Sequence, residues 1–278
     1  MSLLKFYYLS AEVVPFSQTY ELATFSRKIT SKLHDKEDVD IRVSQPKYGY
    51  VSERKYILRE VIRLREIPFE FDGEEQVASA KSAFIPKTRV QVYFLEDDYW
   101  FKPLTNLIYK SKNGRVLSDN GERYGYFAKA VLSTLPHLFW APDIFICNGW
   151  QSAMVPGIFK KHFDGINEFY QEIKTVIVIH DQDEYSSVSR EDLKKAEVPI
   201  HNSLKGKMLN IYEVAAFEAD AIIIFDKPSK IISKQLLNKP GIKANKKKVS
   251  VIPWSDDEIP DYNVIADKMD KVLEKLSD

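Results

Sequence analysis

The segment HDQDEYSS, residues 180–187, sets one histidine and three carboxylates (His180, Asp181, Asp183 and Glu184) within a few positions of one another. It follows directly on KTVIVIH (174–180), an apolar run that reads as a buried strand. Crevices beyond the carboxyl ends of strands are where open α/β sheets bind ligands. Oxygen donors so placed could hold a divalent cation. Their spacing matches no metal-binding motif, so a solvated loop is the preferred reading and no metal is expected. The patterns GxSxG, HExxH and GxxxxGK followed by Ser or Thr do not occur in the sequence. No cofactor is expected.

A second stretch raises a different chemistry. SAEVVPFSQTYELATFSRKI (10–29) runs from a strand into a helix, the usual place for a turn that cradles phosphate. Its turn, SQTYEL, contains no glycine, although close backbone approach to a phosphate normally requires one.

Such groups need a scaffold, and the hydrophobic pattern supplies one. LLKFYYLS (3–10), DIRVSQP (40–46), RVQVYFLE (89–96), DIFICN (143–148), KTVIVIH (174–180), DAIIIF (220–225) and KVSVIP (248–253) read as buried strands. Several lack polar alternation, as parallel strands covered on both faces do. Helices are expected near 20–34, 120–139, 151–163, 206–218 and 228–237, with a closing helix over 262–276. The order predicts an α/β fold: a single Rossmann-like domain over 1–278, doubly wound around a mainly parallel sheet. Residues 54–86 depart from the alternation. Two extended runs, KYILREVIRLREIPFEF and EEQVASAKSAFIP, flank FDGEE, a hairpin signal that predicts a small β insertion.

Composition narrows the function classes. Forty basic and forty acidic residues give a formal net charge of zero, which argues against a nucleic-acid binder. The one dense basic run, KANKKKV (243–249), reads as a solvated loop before a strand. Cys147 is the only cysteine, so no intrachain disulfide forms, as suits a reducing compartment. No apolar run approaches the ~20 residues that cross a bilayer, and no leader pattern opens the chain. A cytoplasmic protein without membrane contact is expected.

Several segments together resemble the N-terminal domain of bacterial glycogen synthases and plant starch synthases. They are SAEVVPF (10–16), QPKYG (45–49), VYFLEDDYWFKP (92–103), DNGERYGYFAKAVL (119–132), WAPDIFICNGWQSAMVP (140–156) and KTVIVIH (174–180), in the family's order. The resemblance implies half of a two-domain GT-B glycosyltransferase, a family that transfers glucose from ADP-glucose to α-1,4-glucan. It also implies roles. His180 would contact the transferred sugar as a catalytic residue, Asp119 and Asn120 would lie near the acceptor, and Trp150 and Gln151 would belong to the substrate site.

The sequence departs from the family at two places. Where the family has K-T-G-G-L, this chain has Gln18, Thr19, Tyr20, Glu21 and Leu22. A cation that meets the donor phosphates has become an amide, and Glu21 adds a carboxylate there. The family's histidine–aspartate pair before the tryptophan is replaced by Asn148 and Gly149. Without the resemblance, Asp119 reads as a helix cap and His180–Asp181 as a hydrogen-bonded pair. The resulting expectation is a synthase-like protein, inactive alone in glucosyl transfer, that binds an α-glucan, a sugar or a protein partner, or self-associates, at the cleft face. The alternative is an ADP-glucose-dependent glucosyltransferase completed by a separate chain or a dimer.

Overall fold

The computed structural model describes residues 3–105, 107–182, 184–256 and 260–277. Its strands are β1 (Leu4–Ser10), β2 (Val39–Pro46), β3 (Arg59–Glu60), β4 (Ile67–Phe71), β5 (Glu74–Phe84), β6 (Gln91–Glu96), β7 (Ile144–Asn148), β8 (Lys174–Ile179), β9 (Ser187–Ser189), β10 (Met208–Asn210), β11 (Ala221–Asp226) and β12 (Val249–Pro253). The helices are α1 (Glu21–His34), α2 (Glu53–Tyr56), α3 (Asn120–Thr134), α4 (Val155–His162), α5 (Arg190–Lys195), α6 (Ile211–Glu218), α7 (Ser233–Leu236), α8 (Pro240–Ala244) and α9 (Tyr262–Ser277).

The main sheet runs β12-β11-β8-β7-β1-β2-β6-β5-β3, with β4 paired to β5. From β12 to β6 every pair is parallel, and β5 joins β6 antiparallel. All seven expected core strands are present. Connections wind one way from β1 through β2 to β6, and the other way from β7 to β12. The order therefore reverses between β1 and β7, and the loops leaving these two strands open the crevice where such sheets take ligands. The central strands are apolar on both faces; Ile144–Asn148 is buried throughout. One continuous core extends from Phe6 in β1 to Leu273 in α9.

The FDGEE hairpin forms as expected, with Asp72 and Gly73 both at positive φ between β4 and β5. The stretch before it is not one extended run. Ser52 accepts from Lys55 N to start α2, and Ile57 in the left-handed region stops it. The helix expected over 206–218 starts late, at Ile211. Asn210 takes the backbone N–H groups of Tyr212 and Glu213, leaving 208–210 free to pair with β9. Over 228–237 only α7 forms, because Lys227–Lys230 make a tight turn instead. In the basic run, Lys248 points inward and donates to the carbonyls of Ala216 and Phe217 near the end of α6, where a cation suits the helix dipole. Among the described residues no helix is long and apolar enough to cross a membrane.

Candidate functional site

The crevice is built from the loop after β1, the head of α1, the turn after β7 and the ends of β8 and β11. Glu12 organises the first of these. It is fully buried, and its carboxylate accepts from Thr19 N, Thr19 Oγ1 (2.7 Å) and Tyr109 Oη (2.8 Å). Burial pushes its pKa up, while the Thr19 and Tyr109 donors pull it back. The loop is thereby tied down from beneath, and the Thr19 amide is spent on a side chain of the chain itself.

Each altered position in this loop has a partner. Gln18 Nε2 donates to Thr24 Oγ1 (3.3 Å), turning along α1. Tyr20 Oη accepts from Gln151 Nε2 (3.0 Å), and its ring meets Tyr109 edge-on. Glu21 accepts two bonds from Lys227 Nζ (2.5 and 2.7 Å), bringing the head of α1 to the turn after β11. Lys227 Nζ also stands 4.5 Å from the centre of the Trp254 ring.

Tyr20 separates two cavities. On one side lies a cavity of about 230 Å³, whose walls include Glu21, His180, Lys227, Lys230 and Trp254. On the other lies one of about 450 Å³, whose walls include Gln18, Thr19, Tyr109, Lys110 and Tyr185.

His180 packs parallel to Phe225, 5.2 Å away, and edge-on to Phe25 and Trp254. Its Nε2 lies 2.6 Å from Asn148 Oδ1, and Asn148 Nδ2 donates to Ser26 Oγ (3.2 Å). The Asn148 oxygen is therefore the acceptor, and Nε2 carries the imidazole proton. Burial, then the charge of Lys227, lowers the His180 pKa to about 3. The ring is neutral at physiological pH, and its buried Nδ1 is an acceptor with no partner among the described residues. The indole Nε1 of Trp254 is likewise buried without a partner there.

The structure thus brings together His180, Gln18, Thr19, Tyr20, Glu21 and Gln151, and sets the other expected residues behind them. Trp150 is buried beneath Tyr109, Tyr124 and Tyr185. Asn120 is buried, donating to Tyr109 O (2.9 Å) and accepting from Arg123. Asp119 stands at the N-cap of α3 but makes no side-chain cap bond; its carboxylate pairs with Arg123 one turn on. That corrects the reading of Asp119 as a cap, because a guanidinium four residues away outcompetes a neutral backbone N–H. His180 takes Asn148 as its ring partner, and its other ring nitrogen, Nδ1, has no partner among the described residues, which corrects the reading of the ring as paired with Asp181. Asp183 lies outside the described residues. Among those described, no three His, Cys, Asp or Glu side chains converge as a metal site would need. Glu12, Lys227 and Trp254 were not singled out from sequence. A lone carboxylate inside the apolar SAEVVPF was a readable signal for the first; Lys227 and Trp254 gave none.

A parallel sheet with its crevice at the β1/β7 reversal is the fold of one of the two domains of a GT-B glycosyltransferase. The catalytic domain of starch synthase IV from Arabidopsis thaliana, solved with ADP and acarbose, superposes with a TM-score of 0.73 at 18% identity, covering 91% of this chain and 52% of that one. The family profile described as "Starch synthase catalytic domain" matches residues 5–229, and the chain belongs to that family. Glycogen synthases of Pelodictyon phaeoclathratiforme and Chlorobium limicola are each 33% identical over 176 residues, covering 63% of this chain and 35% of theirs. The glycogen synthase of Chlorobaculum tepidum is 27% identical over 241 residues, covering 86% of this chain and 48% of its own. The chain therefore spans between about a third and a half of the length of these relatives.

Proposed function

We propose that this synthase-family domain binds a neutral sugar or the end of an α-glucan in the crevice and does not transfer glucose from ADP-glucose. The observation that carries this reading is the occupation of the loop after β1 by Tyr20 and Glu21. A diphosphate at the head of α1 would meet the Tyr20 ring. To reach Lys227 it would also have to displace the Glu21 carboxylate already bound there. Two like charges 4 Å apart repel by about 1 kcal/mol in water and about 4 kcal/mol near a protein surface. Stabilising charge as it develops on a leaving diphosphate is the largest catalytic contribution in such a transfer, and losing one donor costs on the order of 100- to 1,000-fold in rate.

What the crevice offers suits hydroxyl groups. Neutral His180 and Trp254 wall the smaller cavity with an acceptor, Nδ1, and a donor, Nε1, that are buried without partners among the described residues; small side-chain movements would bring them to a sugar's hydroxyls. The larger cavity adds the rings of Tyr20, Tyr109 and Tyr185 as apolar walls for a pyranose face. Incorporation of labelled glucose from ADP-glucose into glycogen tests the reading, with an authentic glycogen synthase as positive control. No incorporation is expected. Incorporation that disappears in His180→Ala would make the chain a transferase and overturn the proposal.

A further inference from the structure

On the flank of the domain, the second half of α1 and the turn between β5 and β6 enclose an open groove of about 780 Å³. Its walls carry Arg27, Lys28, Lys32, His34, Lys87 and Arg89, against a single carboxylate, Asp35. In a chain whose 40 cations and 40 anions cancel, five permanent positive charges around one groove are a strong local excess. Lys28 and Lys32 are four residues apart on the helix, where like charges repel. Among the described residues, only Lys32 forms an ion pair with Asp35, at 3.7 Å.

The backbone holds the cations of the turn in place. Lys87 has φ +67°, a left-handed conformation that suits Gly or Asn far better than a long side chain. The turn is fixed around it. Thr88 N and Thr88 Oγ1 both donate to Ile85 O, and Ile85 N donates to Val90 O (3.0 Å). Across the groove, Arg27 Nη2 donates to Pro86 O (3.2 Å), which orients its guanidinium against the turn.

We propose that this groove is a binding site for a compact polyanion, a small molecule carrying two or more phosphate groups. Guanidinium and ammonium groups converging from two sides offer charge-assisted hydrogen bonds to phosphate oxygens. On the α9 side the groove is bounded: Lys36, next along the chain, is already claimed by Asp267 and Asp270 at 2.9 Å each. On that side the positive region does not extend as the track a nucleic-acid strand would need. This site is separate from the crevice and does not rest on the sugar-binding reading.

Calorimetric titration of the whole chain with sodium tripolyphosphate, at low and at high salt, tests it. Saturable binding that weakens as salt rises is expected. Lys87→Glu and Arg89→Glu should each weaken it about tenfold or more, the scale of one lost charge-assisted contact. Lys87→Gly, which relaxes the left-handed turn while removing the cation, should remain folded by circular dichroism and also bind more weakly. Absence of binding at low salt, or binding that none of these variants changes, would overturn the proposal. So would tighter binding of a short single-stranded RNA than of tripolyphosphate, which would assign the groove to nucleic acid.

Discussion

Glu21 and Lys227, 206 positions apart in the chain, form a two-pronged ion pair that joins the first turn of α1 to the turn after β11. The carboxylate stands where the family resemblance implies a glycine beside the donor phosphates. Lys227 provides a cation at the crevice, and Glu21 neutralises it within the chain. The side chains are 53% and 25% exposed, so solvent screens the pair and its contribution to stability is small. Glu21→Gln should change the unfolding free energy by less than about 1 kcal/mol, measured by urea denaturation. A larger loss would mean that the pair is a structural clamp rather than an occupant of the crevice.

Tyr20 is the wall between the two cavities. Tyr20→Gly removes the ring from Tyr109, leaves Gln151 Nε2 without its acceptor and adds backbone freedom at the start of α1. A cost of about 2–3 kcal/mol is expected for a half-buried aromatic truncated in this way. Equilibrium unfolding measures it, and a neutral outcome would show that the ring is not held as described.

Glu12 accounts for the shape of the loop. Glu12→Ala leaves the donors at Thr19 and Tyr109 unmatched and should cost about 2 kcal/mol, with faster hydrogen exchange at the Thr19 amide. Glu12→Gln should be milder, because the Thr19 and Tyr109 hydroxyls can turn to accept from the new amide. Equal effects from the two substitutions would contradict this hydrogen-bond assignment.

His180 makes stability depend on pH in a definite direction. Its pKa falls from the ordinary 6.5 to about 3 on folding, chiefly through burial. Between those values the unfolded chain binds a proton that the folded chain refuses. The stability from this group is complete above pH 6.5 and is lost as pH falls towards 3, by up to about 1.4 kcal/mol per unit. Glu12, whose pKa is raised, works in the opposite sense as pH rises above its unfolded value. Comparison with His180→Gln, whose amide nitrogen can replace Nε2 towards Asn148, isolates the histidine. The parent should lose more stability than the variant between about pH 7 and about pH 5; parallel losses would contradict the buried neutral ring.

Much of this architecture was readable from the chain. Apolar runs such as DIFICN and DAIIIF mark strands covered on both faces, and their alternation with helical segments fixes the winding. The three-residue strands β9 and β10 were not readable, being too short for any period to register. Nor was the late start of α6, which depends on a single capping side chain, Asn210. In the site, the replacements at Gln18, Tyr20 and Glu21 were plain in the sequence, and so was the position of His180 at a strand end. The partner of Glu21 was not, because β8 and β11 bring Lys227 to it only in three dimensions. The Asp119–Arg123 pairing lay within reach, since four-residue spacing on a helix brings opposite charges together.

The central claim, that the crevice has exchanged nucleotide for sugar, is tested most directly by calorimetric titration of the purified chain with ADP-glucose, ADP and maltooligosaccharides side by side. Saturable binding of maltooligosaccharides is expected, with none for either nucleotide. The substitutions Gln18→Lys, Tyr20→Gly and Glu21→Gly made together should then bring ADP binding into range, because they restore a cation and open backbone beside the head of α1. Micromolar binding of ADP or ADP-glucose to the unaltered chain, worth about 8 kcal/mol, would contradict the account.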